Sequence, residues 1–265
     1  MQITTYVFDM DGVLYRGDTP IPDAISALAA LKKAGRKIYY LTNNSGSSRE
    51  QYKTKLASMG IESEIDKIFT SAYATAIYLK AHGAVGKTVF IVGQSGIAEE
   101  LAAVGINTVT VPEQVPYTQI DYVVVGIDRG FTYDKLKYAH ACIVRGHAEF
   151  IATNRDPTYP VEDGTIPGAG SIVASVATAV GFDPLVIGKP EPHALEAILA
   201  VAGASLDEAM MVGDRLDTDI AAGNRVGIAT ALVLTGVSTT EEACSVPDDL
   251  KPSVIIGSLK ELLEN

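Results

Sequence analysis

The chain has 265 residues, 47% hydrophobic and 20% charged, a composition that supports a substantial core and excludes a disordered or fibrous protein. Lys plus Arg number 21 against 32 Asp plus Glu, a net charge of −11, and no basic run offsets that excess, so nucleic acid is not an expected partner. The start, MQITTYVFDMDG, has no basic region leading into an apolar one, and no stretch of about 18 apolar residues occurs anywhere, so neither secretion nor a membrane partner is expected and the location is read as cytoplasmic.

The first apolar run, TYVFDM, predicts a strand that ends on Asp9-Met10-Asp11-Gly12. DAISALAALKKAG then predicts a helix with Ile25, Leu28, Ala29 and Leu31 on one face and Gly35 just past its end. KIYYLTNN predicts a second strand, ending in Thr42-Asn43-Asn44-Ser45, and Ser47 with Glu50 predicts a capping box for a helix running to Met59. KIFTS and ATAIYLKAHG repeat the pattern. Between 83 and 183 a separate series begins, with TVFIVG, INTVTV, DYVVVGID and EFIATN; PLVIGKPEP, AMMVGDRLDTDI, IATALVLTG and PSVIIGS then return to the first style. Apolar strands alternating with amphipathic helices imply a parallel sheet covered on both faces. The expected fold is therefore α/β: a doubly wound, Rossmann-like parallel-sheet core made of 1–82 and 184–265, with a smaller α/β domain, 83–183, inserted between its halves.

In open parallel sheets, ligands bind beyond the carboxyl ends of the strands. Four such ends carry chemistry here: Asp9 and Asp11, Thr42, Lys189 before Pro190, and Asp214 with Asp219 in GDRLDTDI. Two carboxylates one residue apart disfavour each other's ionisation, and a divalent cation between them resolves the conflict. Carboxylates with no His or Cys nearby form a hard, all-oxygen set suited to Mg²⁺. Lys189 and the Thr42 hydroxyl suit the oxygens of a transferring phosphoryl group, one carboxylate suits attack on phosphorus, and the other, raised in pKa by its neighbour, suits proton transfer.

DMDGVLY, LTNNS, GKP and GDRLDTDI, in that order, resemble the four motifs of the haloacid dehalogenase superfamily of phosphohydrolases, and the long insertion resembles the C2-type cap of its NagD-like subfamily. The resemblance covers essentially the whole chain. It implies a Mg²⁺-dependent phosphatase of small organic phosphate monoesters that forms an aspartyl phosphate. In it Asp9 is the nucleophile and Asp11 the general acid and base, Thr42 and Lys189 bind the phosphoryl oxygens, and the amides of Asn43 and Asn44 contact phosphate. Asp9, the Asp11 carbonyl and Asp214 hold the metal, while Asp219 orients Lys189 or a metal-bound water. ATNRDPTYPVEDGTIPGAGS resembles the segment by which such caps meet the core, so Asn154, Arg155 and Asp156 are expected to border the substrate. The expected partner is a small phosphorylated metabolite, and a homodimer through the cap, as in some relatives, is compatible with the resemblance.

The same residues admit other readings. A phosphotransferase or mutase would share the motifs and differ in acceptor, and a non-catalytic binder of phosphorylated metabolites would use the site without turnover. A dehalogenase would lack the metal chemistry that Asp11 and Asp214 imply. A dinucleotide fingerprint fails in IPGAGSIV, where Val173 stands in place of the third glycine, and a loop capping a helix is the simpler reading. His82, His140, His147 and His193 show no ligand spacing. Tyr39, Tyr40 and Tyr122 read as core, Glu99 and Glu100 as a solvated helix face, and Cys142 and Cys244 as buried small hydrophobes of a reducing compartment.

Overall fold

The structure, a computed structural model, describes residues 2–161 and 164–263. Two compact units result, one from Met1–Thr42, Tyr52–Phe69 and Lys189–Asn265, the other from Asn43–Gln51 and Thr70–Gly188. The fold is α/β with two parallel sheets, as the alternation of elements implied.

The first unit carries a six-stranded sheet in the spatial order Val254–Ile256, Ala229–Val233, Ala209–Gly213, Thr5–Phe8, Lys37–Thr42, Ile68–Thr70. Thr5–Phe8 is buried along its whole length, which is what a central parallel strand with both faces covered requires. Phe8 lies opposite Tyr40 on one side and Val212 on the other, so the residues following these three strands emerge at one edge. Phe8, Met10, Leu14, Tyr40, Leu56 and Val212 share one apolar cluster. The helix Pro22–Lys33 opens on proline with Asp23 in its first turn and closes with Lys32 and Lys33, matching the helix dipole at both ends. Its buried stripe is Ala24, Ala27, Leu28 and Leu31. Leu28 and Leu31 were expected there, but Ala29 is exposed, because the helical period places it one step around from Leu28.

The second unit carries a five-stranded sheet in the order Leu185–Val186, Glu149–Ala152, Tyr122–Val125, Thr88–Val92, Asn107–Val109. Leu185–Val186, which resembles the outer series in sequence, pairs in parallel with Ile151 and Ala152 of this inserted sheet. Val92, Val125, Ala152 and Val186 are linked in register, so the segments after them, including 93–94, 126–129 and 153–156, gather at one edge. The segment 43–47 is tied to that edge: Thr153 Oγ1 donates to Ser45 Oγ (3.0 Å), and the N–H of Gly96 donates to the Gly46 carbonyl (3.4 Å).

Three local expectations change. The helix after Asn44 begins at Arg49, and the N–H of Ser48 donates to Gln51 Oε1 (2.9 Å), so the cap stands one residue later than Ser47 and Glu50. The cause is Glu100. Far from solvated, it is 4% exposed, and it accepts from both the Arg49 N–H (2.7 Å) and Nε (2.9 Å) while the guanidinium lies 3.4 Å from the Tyr73 ring centroid. Glu100 shares its helix face with Gly96, Ile97 and Leu101, and of the two glutamates Glu99 alone is exposed. Cys142 is buried as expected, but Cys244 is exposed on the short helix Thr240–Ser245. Tyr39, Tyr40 and Tyr122 are all buried.

Candidate active site

Asp9 follows the central strand Thr5–Phe8, its N–H donating to the Val212 carbonyl (2.8 Å) so that the strand ladder aims its side chain beyond the sheet edge. Lys189 Nζ reaches the same point and donates to Asp9 Oδ1 (2.5 Å), Asp219 Oδ1 (2.6 Å) and the Leu41 carbonyl (3.4 Å). Asp214 follows Ala209–Gly213, and one carboxylate oxygen from each of Asp9, Asp214 and Asp219 lies within 4.8 Å of the others. All four side chains are buried. Thr42 is buried at the end of Lys37–Thr42, on the same edge.

Three carboxylates against one ammonium leave an excess of negative charge out of water, and the titrations reflect it. Burial raises the Asp9 carboxyl well above its ordinary range; Lys189 works against this rise, and Asp219 and Asp214 add to it. Burial, reinforced by Asp219, pushes Asp214 up to about 7. Burial alone would favour neutral Lys189, but the Asp219 and Asp9 carboxylates outweigh it and hold the ammonium above its usual pKa. Asp11, half-buried, is also raised by burial, with Lys55 opposing.

The oxygens of the two later aspartates differ in how they are used. Asp219 gives Oδ1 to Lys189 and Oδ2 to the Arg215 N–H (3.1 Å). Asp214 Oδ2 accepts from the Val237 N–H (2.8 Å), but Oδ1 is buried with no donor among the described residues. An ionised oxygen in that position is costly unless a cation faces it. The chain also clears space around this carboxylate: Gly12, at φ +79°, would place a Cβ 2.5 Å from Asp214 Oδ2, and Gly236 would place one at 1.9 Å. An all-oxygen set with one unsatisfied buried carboxylate oxygen fits a hard divalent cation such as Mg²⁺.

The other expected site residues lie in the second unit. Asn43 Nδ2 donates to Asp156 Oδ1 (3.0 Å), and the Asp156 N–H donates to Asn154 Oδ1 (3.1 Å). Asn44 Oδ1 accepts from the Gly46 N–H (2.8 Å), an Asx-type turn, and its Nδ2 donates to the Tyr159 hydroxyl (3.2 Å). Arg155 stands apart, exposed, with its guanidinium on Asp183 (2.7 Å). Sequence patterning did not single out Gln94, Arg129 or Tyr159, which with Asn44 and Ser47 line a polar cavity of about 130 Å³ that no carboxylate borders. Their only sequence signal is position: Gln94 and Arg129 follow strands of the second sheet. The glycine-rich 168–170 segment opens the helix Ala169–Val180, the loop-and-cap arrangement, with the Gly170 N–H on the Asp156 carbonyl (2.9 Å).

The chain resembles known proteins over nearly its whole length. Residues 6–107 match the haloacid dehalogenase-like hydrolase family and residues 186–262 a second HAD-hydrolase-like family. The acid sugar phosphatase of Staphylococcus saprophyticus is 40% identical, over 98% of this chain and 96% of that one. The p-nitrophenyl phosphatase from Archaeoglobus fulgidus superposes with a TM-score of 0.90 at 35% identity, covering 100% of this chain and 99% of its own. A glycerol phosphate phosphatase from Mycobacterium tuberculosis, crystallised with magnesium, superposes at 0.90 with 34% identity, covering 98% of this chain and 76% of its own. The chain belongs to the haloacid dehalogenase-like hydrolases.

Proposed function

We propose that the protein is a Mg²⁺-dependent phosphatase of small phosphate monoesters, working through a phosphoaspartate on Asp9. The observation that carries this reading is the buried Asp214 Oδ1, without a donor among the described residues, in a carboxylate cluster crossed by the Lys189 ammonium. Asp9, the Asp11 carbonyl and Asp214 would hold Mg²⁺, which when bound neutralises charge on the phosphoryl oxygens.

The chain's own groups divide the remaining work. Lys189 favours the ionised form of Asp9 against the burial that raises its pKa and, with the Thr42 hydroxyl and the amides of Asn43 and Asn44, receives the phosphoryl oxygens. A carboxylate oxygen of Asp9 bonds to phosphorus as the ester P–O bond breaks, and Asp11, whose partial burial raises its pKa and so favours the protonated form, gives its proton to the departing oxygen. Asp11 then takes a proton from a water that attacks the same phosphorus. The bond to Asp9 breaks and orthophosphate leaves. Asp219, with both oxygens engaged, keeps Lys189 aimed.

The polar cavity beside Asn44 lies within the second unit. Its volume is about 130 Å³, and Arg129 gives it positive character. The names of the relatives, sugar phosphate, glycerol phosphate and p-nitrophenyl phosphate among them, support a small phosphate monoester as substrate. Phosphate release from p-nitrophenyl phosphate and a panel of metabolite monoesters, with Mg²⁺ and with excess EDTA, tests the proposal. Metal-dependent release supports it, and a folded, Mg²⁺-loaded protein that hydrolyses no ester refutes it.

Two coarser features complete the reading. An open apolar groove of about 560 Å³ along Phe150, Phe182 and Leu185 in the second unit supports a homodimer through the cap, which sedimentation of wild type against Phe182→Asp would test. No described helix is long and apolar enough to cross a membrane, and the unpaired thiols of Cys142 and Cys244 support a reducing, cytoplasmic setting.

A further inference from the structure

The carbonyl of Asn43 receives two side-chain donors from distant parts of the second unit. Ser71 Oγ donates to it at 2.5 Å and Asn154 Nδ2 at 2.7 Å, and both residues are buried, at 0% and 3% exposure. Neither bond is explained by local structure. Ser71 is the first residue of the helix Ser71–Ala81, whose cap is already supplied by Thr70 Oγ1 accepting from the Tyr73 N–H (3.0 Å), so the Ser71 hydroxyl is spent on Asn43. Asn154 is itself held, through Nδ2 on Thr153 Oγ1 (3.3 Å) and through Oδ1 under the Asp156 N–H (3.1 Å). Asp156 in turn accepts from the Asn43 side chain (3.0 Å), which closes a ring of hydrogen bonds around one residue.

A trans peptide is planar, and its C=O and N–H point in opposite directions. Two donors on the Asn43 oxygen therefore fix the direction of the Asn44 N–H, which belongs to the same peptide, and aim it away from Ser71 and Asn154. Donors on the oxygen also polarise the peptide and strengthen its N–H as a donor. A hydrogen-bond donor fixed in advance stabilises developing charge without reorganising during the reaction. Resting on the phosphatase reading above, we infer that Ser71 and Asn154 are positioning residues of the phosphoryl site, acting through the Asn43 carbonyl to aim the Asn44 N–H at a phosphoryl oxygen in the transition state.

The full-length protein with Mg²⁺ tests this through Ser71→Ala and Asn154→Ala, with Thr75→Val as control. Thr75 Oγ1 donates to the Ser71 carbonyl (2.7 Å), so its loss removes a buried hydrogen bond from the same helix without touching Asn43. Removing an oxyanion donor outright costs about 10²–10³ in rate, and misdirecting one is expected to cost about 10-fold or more. Ser71→Ala and Asn154→Ala should each lower kcat at least about 10-fold and weaken inhibition by orthovanadate, a mimic of five-coordinate phosphorus, by a similar factor. KM and the half-saturating Mg²⁺ should stay within about 3-fold, and Thr75→Val should retain kcat. In ¹⁵N-labelled wild type the Asn44 amide signal should shift on adding Mg²⁺ and vanadate, and shift less in both variants. Retained kcat in either folded variant, an equal loss in Thr75→Val, or an unmoved Asn44 amide in wild type overturns the inference. If one variant fails to fold, kcat and the Asn44 amide shift of the other decide. Ester hydrolysis with an unmoved amide refutes the positioning role alone, whereas absence of both hydrolysis and vanadate binding refutes the phosphatase reading and this inference with it.

Discussion

The two units assemble their polar groups on opposite terms. In the first, three buried carboxylates crowd one ammonium, a charged cluster stabilised only when a cation or protons balance it. In the second, the network around 43–47 is built from amides and hydroxyls and, apart from Asp156, carries no charge. A charged cluster of this kind responds strongly to metal and pH and can do covalent work. A neutral network changes little with either and serves to hold geometry.

The largest test of that contrast is Asp9→Asn. An amide cannot attack phosphorus, so kcat should fall by about 10⁴ or more while far-ultraviolet dichroism and the melting curve stay native-like, as followed by phosphate release. Lys189→Met comes next. It leaves Asp9 and Asp219 facing each other in the interior, and should lower kcat at least about 10²-fold and cost about 3 kcal/mol of stability in EDTA, measured by urea unfolding. Added Mg²⁺ should recover part of the stability and little of the rate.

A smaller effect separates the units by pH. The folded-state pKa of Asp214, about 7, lies above its ordinary value of 3.8, so folding favours its protonated form. The stability this contributes is present below the ordinary pKa and is lost as pH rises through about 7. Mg²⁺ binds the ionised form and offsets the loss, so the gain in Tm on adding Mg²⁺ should be larger at about pH 8 than at about pH 5.5. An equal gain at both would show that the cation does not meet Asp214. Arg155→Ala should have the least effect, under about 2-fold in kcat/KM, because its guanidinium is 46% exposed and bonded to Asp183; a larger loss would place it against the substrate.

The charged half was far more legible in the sequence than the neutral half. Asp9, Thr42 and Asp214 each stand immediately beyond or at the end of an apolar run, and parallel pairing brings such positions to one edge whatever the details of packing. Ser71 and Asn154 follow strands as well, yet nothing local marks a serine at a helix start or an asparagine in a loop as serving one distant carbonyl. The same limit explains Glu100, which reads as solvated until Arg49 is placed beside it, and Leu185–Val186, whose apolar character does not say which sheet it joins. Alternation and strand ends are properties of short segments. Partners far apart in sequence are not.

The place of Thr5–Phe8 in its sheet has a consequence for how the chain is made. One of its neighbours, Lys37–Thr42, follows almost at once, but the other, Ala209–Gly213, is synthesised roughly 200 residues later. At about 5–20 residues per second that is a wait of roughly 10 to 40 s. Throughout it, a strand destined for complete burial has one open edge, the kind that templates pairing with other chains, and contacts of such long sequence separation are slow to form even afterwards. Slowed translation or chaperone depletion should therefore aggregate this protein through Thr5–Phe8, and the nascent chain has no complete acidic cluster to offer until Asp214 and Asp219 have been made.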